Sequence, residues 1–202
     1  MPAGITIAID AMSGDDGLGI VVPAALAYLQ KKSQVSLLSS DNVTQANKTF
    51  NIILVGDQNK LEVLLLDHIK LASDPSSTSN TSSSLELPSN LSIVHADSVV
   101  EMDDRPSLVL RQKRDSSMAV ALQLVKDGKA DACVSAGNTG ALMAFGRSII
   151  RMYPGIERPA IAKLIPSLRG RCHVLDLGAN VDSSAENLYQ YALMGSLMAS
   201  AI

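Results

Sequence analysis

Tryptophan is absent from the 202 residues, and four tyrosines with two phenylalanines bring aromatics to only 3%. Little is available to stack on nucleic-acid bases, and a formal charge of -3 gives no counterion-release drive toward a phosphodiester backbone. Nucleic acid is therefore not an expected partner. Cysteine is scarce as well. Cys133 and Cys172 make no disulfide framework, and no spacing of Cys with His reads as a zinc site, so no metal is expected. No run of ~18 apolar residues occurs, so no segment reads as a bilayer span. The N-terminal Met-Pro-Ala-Gly-Ile-Thr-Ile lacks both a basic leader and a signal-length apolar core. The expectation is a cytoplasmic protein, with peripheral membrane contact left open. Charge is sparse, at 18% of residues against 47% apolar, which suits a chain that buries a core.

What is present is a rhythm. Short apolar runs at Ile5–Ile9, Ile52–Val55, Leu91–His95 and Ala132–Ser135, with a fifth at Val174–Leu177, run straight into Gly, Asp or Ser clusters. Most are rich in Ile and Val without strict alternation, as parallel strands covered on both faces tend to be. Helical patterns lie between them, at Val22–Lys31, Leu61–Leu71, Ser117–Lys126 and Ala141–Met152. This predicts an α/β fold with a mostly parallel sheet and helices on both sides, in one domain over 1–202. Two polar stretches, at 33–49 and 73–90, break the pattern and read as solvated surface insertions. The apolar helical pattern from Asn187 to Ile202 stops without a Gly, Asn or Pro terminator, and the expectation from this is the front part of a longer protein.

Ligands of open parallel sheets bind beyond the carboxyl ends of the strands. Three polar, glycine-bearing loops fall at that position and predict one shared cleft. The first carries Asp10, Gly14, Asp15 and Asp16, and the last carries Asp176, Gly178, Asn180 and Asp182. The loop after the fourth strand, Ser135-Ala-Gly-Asn-Thr-Gly140, is the sharpest. Its glycines allow close backbone approach, helix N–H groups follow, and Ser135, Asn138 and Thr139 add donors suited to phosphate or another small oxyanion. It is neither a Walker A loop nor a dinucleotide fingerprint, and turn and cap chemistry explains the same residues about as well. The acids of the first loop read more simply as turn residues than as metal ligands.

Arg111, Lys113 and Arg114 form the densest positive cluster, with Ser116 and Ser117 capping the helix that follows. This suits an anion or acidic-partner contact, or simply a solvated basic face. Cys133 reads as a small core residue, and His68, His95 and His173 lack a Ser or Cys partner at triad spacing.

Six strings carry a resemblance: Asp-Ala-Met-Ser-Gly-Asp at 10–15, Leu-Val-Gly-Asp at 54–57, Met-Asp-Asp-Arg-Pro-Ser at 102–107, Lys-Arg-Asp-Ser-Ser-Met at 113–118, Ala-Asp-Ala-Cys-Val-Ser-Ala-Gly-Asn-Thr-Gly-Ala-Leu-Met-Ala at 130–144, and Leu-Asp-Leu-Gly-Ala-Asn-Val-Asp at 175–182. In order and approximate spacing they resemble the phosphate acyltransferase (PlsX) family of bacterial phospholipid synthesis. The resemblance implies transfer of a long acyl chain from acyl carrier protein to inorganic phosphate without a cofactor. It also implies an α/β/α sandwich related to isocitrate and isopropylmalate dehydrogenases, a homodimer, and peripheral membrane association beside a glycerol-phosphate acyltransferase that takes the product. Departures are Ser13, where the family usually has a second glycine, Leu18-Gly19, the two long polar segments, and a family length well beyond 202.

Acyl transfer to phosphate needs positioning of the nucleophile and donors for the oxyanion rather than a triad. On that reading Ser135, Gly137, Asn138, Thr139 and Gly140 hold phosphate. Asn138 and Asn180 are the catalytic candidates, with Gly178 on the opposite wall. Asp10, Gly14, Asp15, Ser116, Ser117, Asp176 and Asp182 line the cleft, and Arg111, Lys113 and Arg114 meet phosphate or the acidic carrier protein. The alternatives are a truncated, non-catalytic copy that keeps the phosphate pocket or dimer surface, and a dehydrogenase on the related fold.

Overall fold

The runs at 5–9, 52–55, 91–95 and 132–135 all form strands, in a computed structural model that describes residues 4–38, 49–72, 87–168, 170–178, 180 and 182–201, with the side chains of 32–38 and 72 outside that description. The chain falls into two compact units, Met1–Leu142 and Met143–Ile202. In the first, β1 (Ile5–Asp10), β2 (Phe50–Gly56), β3 (Leu91–His95) and β4 (Ala132–Ser135) form a parallel sheet in the order β3-β2-β1-β4. Register pairs Asp10 with Val55 on one side and with Ser135 on the other, so the strands finish nearly level.

Burial on both faces explains the near-continuous apolar run of the inner strand β2, whereas β4, at the sheet edge, leaves Val134 52% exposed, contrary to the expectation of strands covered on both faces. Ile9, Ile52, Leu54, Leu91 and Ile93 face α1 (Leu18–Leu38) and α2 (Gln58–Ala72), packing with Val22, Leu26, Leu29, Leu61 and Leu65. Ala8, Val55, Val94 and the half-buried Cys133 face the other way, with Ala121 and Leu124 of α4 (Ser117–Lys126). The α/β class with helices on both sides of a parallel sheet is thus present, and α4 has the bounds that its pattern predicts. Helix α1 starts four residues earlier than expected, and its backbone carries on through Leu38. The two polar segments otherwise lie largely outside the described residues.

Local chemistry sets the helix starts. Ser116 caps α4 by accepting from the Ala119 N–H. Asp57 accepts from the Lys60 N–H at the head of α2, and that backbone hydrogen bond, the largest of several causes, holds its carboxyl below the ordinary value. A Cβ on Gly56, just before it, would lie 2.6 Å from Met12 Cγ, which accounts for the glycine in Leu-Val-Gly-Asp. The short α3 (Pro106–Gln112) opens on proline, whose missing N–H costs nothing in a first turn.

The second unit corrects one expectation. The fifth run does not extend the parallel sheet: β6 (Gly170–Leu175) pairs antiparallel with β5 (Ala162–Ser167) in a separate hairpin. It also stops at Leu175, because Asp176 turns to φ +64 and gives its N–H to the Ile161 carbonyl. The expected helix at 141–152 begins earlier, as α5 (Thr139–Phe145), and continues as a π-helical turn over Gly146–Ile150. Helix α6 (Ala185–Ala201) is capped reciprocally: Ser184 Oγ accepts from the Asn187 N–H while Asn187 Oδ1 accepts from the Ser184 N–H. No helix among the described residues is long and apolar enough to cross a membrane.

Candidate functional site

The level strand ends of β1 and β4 bring the first and fourth loops into contact. Asp10, fully buried, accepts at Oδ1 from the N–H groups of Met12 and Ser13 (both 3.3 Å) and at Oδ2 from the Ser135 hydroxyl (2.7 Å). Ser135 Oγ in turn accepts from the Gly137 N–H. The two turns touch through glycine. A Cβ on Gly137 would lie 2.5 Å from Ser13 Cβ, and one on Gly14 (φ +95) would lie 3.1 Å from the Ala136 carbonyl oxygen. Only a residue without a side chain fits at either place. Ser13 Oγ is buried and without a hydrogen-bond partner, as is Ser117 Oγ at the start of α4.

Asn138 has a different occupation from the one its residue type suggests. Its Nδ2 donates to the carbonyls of Glu101, Met102 and Asp104 (3.3, 3.0 and 2.9 Å), and its Oδ1 accepts from the Ala141 N–H at 3.0 Å. The side chain therefore caps α5 and ties the 101–104 turn to the fourth loop. Asn138, Thr139 and Gly140 keep backbone N–H groups for which the described residues show no acceptor. The exposed Thr139 lies at the first turn of α5, and a Cβ on Gly140 would lie 2.8 Å from Pro106 Cγ.

The basic cluster divides. Lys113 Nζ is held by Asp104 Oδ2 (2.6 Å) and the Val99 carbonyl (2.7 Å), so this ammonium is structural. The Lys113 hydrogen bond, then the Glu101 N–H, holds the Asp104 carboxyl below its ordinary value. Arg111 and Arg114 are exposed, the latter giving its Nε–H to the Leu110 carbonyl. Asp15 and Asp16 are exposed, and the described residues contain no His/Cys/Asp/Glu group able to hold a metal. Burial, followed by the Asp10 charge, pushes the Cys133 thiol up, which suits a core residue rather than a nucleophile. His95 accepts at Nδ1 from the Gln58 N–H and meets Asp97 at Nε2, which fixes it as a local tether.

The last loop, 176–182, belongs to the second unit and closes on itself. Asp176 accepts from Asn180 Nδ2 (2.9 Å) at Oδ1 and from Ser183 Oγ (3.1 Å) at Oδ2, and Asn180 also donates to the Pro159 carbonyl. Gly178 sits at φ +76, and the exposed Asp182 accepts at its backbone carbonyl from Arg158. Two of the three predicted loops thus form one constellation within the first unit, joined by the N-terminus of α4 through the Met118 methyl, 3.0 Å from a Cβ on Gly137. The tie to 101–104 and the unpartnered Ser13 have no spacing signature, and sequence reasoning misses both.

Comparison with known proteins bears on this arrangement. The family model described as "Fatty acid synthesis protein" matches residues 5–202. A phosphate acyltransferase of Marinobacter nauticus is 60% identical over 199 residues, 98% of this chain and 48% of that protein. Proteins of the same name from Nitrosococcus oceani and Methylococcus capsulatus are 50% and 48% identical, over 98% and 94% of this chain and 49% and 47% of theirs. The chain spans about half the length of these relatives. With nearly every residue matched, the chain belongs to the fatty acid synthesis protein family, alongside relatives named phosphate acyltransferase.

Proposed function

We propose that this chain carries the phosphate site of a phosphate acyltransferase, which moves an acyl group from acyl carrier protein to inorganic phosphate. The observation that carries this reading is the joined pair of loops at the strand ends. Their side chains are spent on holding the turn, and the backbone N–H groups at 138–140 remain available for an oxyanion. Phosphate lies against those N–H groups and the Thr139 hydroxyl, while Ser135, Gly137 and Asn138 fix the loop that presents them. A phosphate oxygen attacks the thioester carbonyl carbon, and the tetrahedral oxyanion collapses. The C–S bond then breaks, and the carrier thiolate leaves to be protonated by water. Phosphate is already an oxyanion nucleophile, so positioning and donors to the oxyanion are the main requirements. Arg111 and Arg114, the exposed guanidiniums of the basic cluster, are suited to an acidic carrier protein. Homodimerisation and peripheral membrane association are part of the same proposal and rest on family membership.

The test is release of free thiol from a long-chain acyl carrier protein with and without phosphate, by this chain and by the Marinobacter nauticus relative, beside calorimetric titration of each with phosphate. Phosphate-dependent release by both is the expected result. Phosphate binding by this chain without thiol release would leave it a phosphate-binding copy, and absence of phosphate binding would overturn the site assignment.

A further inference from the structure

The start of α1 and the first two turns of α2 flank a shallow, open groove of about 420 Å³ lined by Leu18, Asn59, Lys60, Val63 and Leu64. That volume lies within the range of small-ligand sites. Its walls are apolar: two leucines, a valine and the carbon stems of Asn59 and Lys60. The charged residue of its lining, Lys60, has its Nζ 3.4 Å from Asp57 Oδ2, so its head is turned to a neighbouring carboxylate while its stem lines the wall. Val63 remains 62% exposed on its wall, on a helix that starts at the carboxyl edge of the sheet.

Position gives the groove a meaning. Leu18 is the first residue of α1 and ends the same loop that begins at Asp10 and touches the fourth loop at Gly14. Strand order places β1 between β2, which leads into α2, and β4, which leads into the oxyanion loop. Two interstrand spacings, roughly 10 Å, separate β2 from β4 along that edge, and the groove stands off the sheet in the layer of α1 and α2 besides. An extended aliphatic chain whose thioester carbonyl sits at the fourth loop reaches that far.

We propose that this groove holds the acyl chain of the thioester donor, with Val63, Leu64 and Leu18 as its contact residues. The choice of ligand rests on the acyltransferase reading above. The groove's own observation, a lining without exposed polar surface, favours an aliphatic chain over a charged group.

The experiment titrates this chain with dodecanoyl-, tetradecanoyl- and hexadecanoyl-pantetheine, using pantetheine alone as the blank, by calorimetry and by methyl NMR of leucine and valine. Affinity is expected to rise about two- to fourfold per added methylene, the range from half to full burial of a CH₂ group. The Val63 and Leu64 methyls are expected to shift. V63E, at an exposed position, flattens the chain-length dependence, and V63S lowers it if the charge disturbs the fold. Chain-length dependence that is absent in the wild type, or unchanged in both variants, overturns the proposal. Phosphate-dependent thiol release is scored separately. An intact groove without transfer counts against the acyltransferase reading alone, and transfer without chain-length dependence counts against the groove alone.

Discussion

Asn138→Ala removes the side chain that joins the fourth loop to the 101–104 turn, and its cost follows from the hydrogen bonds it makes. The amide has two hydrogens shared among three carbonyls, and its oxygen caps α5. Two amide bonds contribute about 1 kcal/mol each, and loss of a cap costs about 1 kcal/mol more. The sum is about 3 kcal/mol, a substantial part of the roughly 5–15 kcal/mol that holds a domain folded. Urea unfolding followed by far-UV circular dichroism should show the midpoint falling by about 1–2 M for an m-value near 2 kcal/mol/M. Asn138→Ser separates the parts, since a serine hydroxyl still caps a helix but cannot span three carbonyls. It should recover about 1 kcal/mol of the loss. A cost below about 0.5 kcal/mol for Asn138→Ala, the scale of ordinary surface substitutions, would show that the tie to 101–104 and the cap contribute nothing and would refute the reasoning.

Gly137→Ala places a Cβ 2.5 Å from Ser13 Cβ and should cost roughly 1–3 kcal/mol through overpacking. Adding Ser13→Gly should return more than half of that in a double-mutant cycle, and simple additivity would count against the contact. Iodoacetamide should alkylate the exposed Cys172 well before Cys133, whose thiol is pushed up by burial and by Asp10; peptide mass spectrometry reads the order, and equal rates would contradict it. Asp104 has its carboxyl held below the ordinary value, so its contribution is present above about pH 4 and fades as pH falls through the lower folded value. Wild type and Asp104→Asn should therefore differ by less than about 1 kcal/mol at neutral pH and converge in acid. A gap that widened on acidification would be the wrong sign.

Much of the fold was legible because parallel strands read as short apolar runs that end in polar loops, even at the edge, where β4 leaves Val134 exposed. Four apolar runs became the four strands of the parallel sheet, and α4 began and ended where its Ser cap and its apolar spacing placed it. The hairpin was not legible. An apolar run such as Val174–Leu177 looks the same in either pairing sense, and β5 carries Lys163 and Pro166 on an exposed strand, so it lacks the pattern of a buried one. The site was legible as a set of loops but not as a set of jobs. Composition marks Asn138, Lys113 and Asn180 as donors. Only coordinates show that backbone carbonyls, Asp104 and Asp176 respectively take up their hydrogens.

If the fourth loop holds an anion as proposed, Asp10 decides where on it that anion can sit. Its carboxylate is fully buried, and its charge reaches far enough to push up the neighbouring Cys133 thiol. Around it the donors form a closed chain, the Gly137 N–H to Ser135 Oγ and the Ser135 hydroxyl to Asp10. Two like charges 4 Å apart repel by about 4 kcal/mol at an effective dielectric of about 20. A phosphate drawn in beside Ser135 would meet that repulsion and find its donors already engaged. At the α5 end of the loop both objections fall away, since the N–H groups at 138–140 lie beyond the closed chain and add the partial positive charge of a helix start. The buried acid thus acts as a template for the turn by accepting its inner donors, and on the proposed reading its charge would direct a second anion to the outer ones.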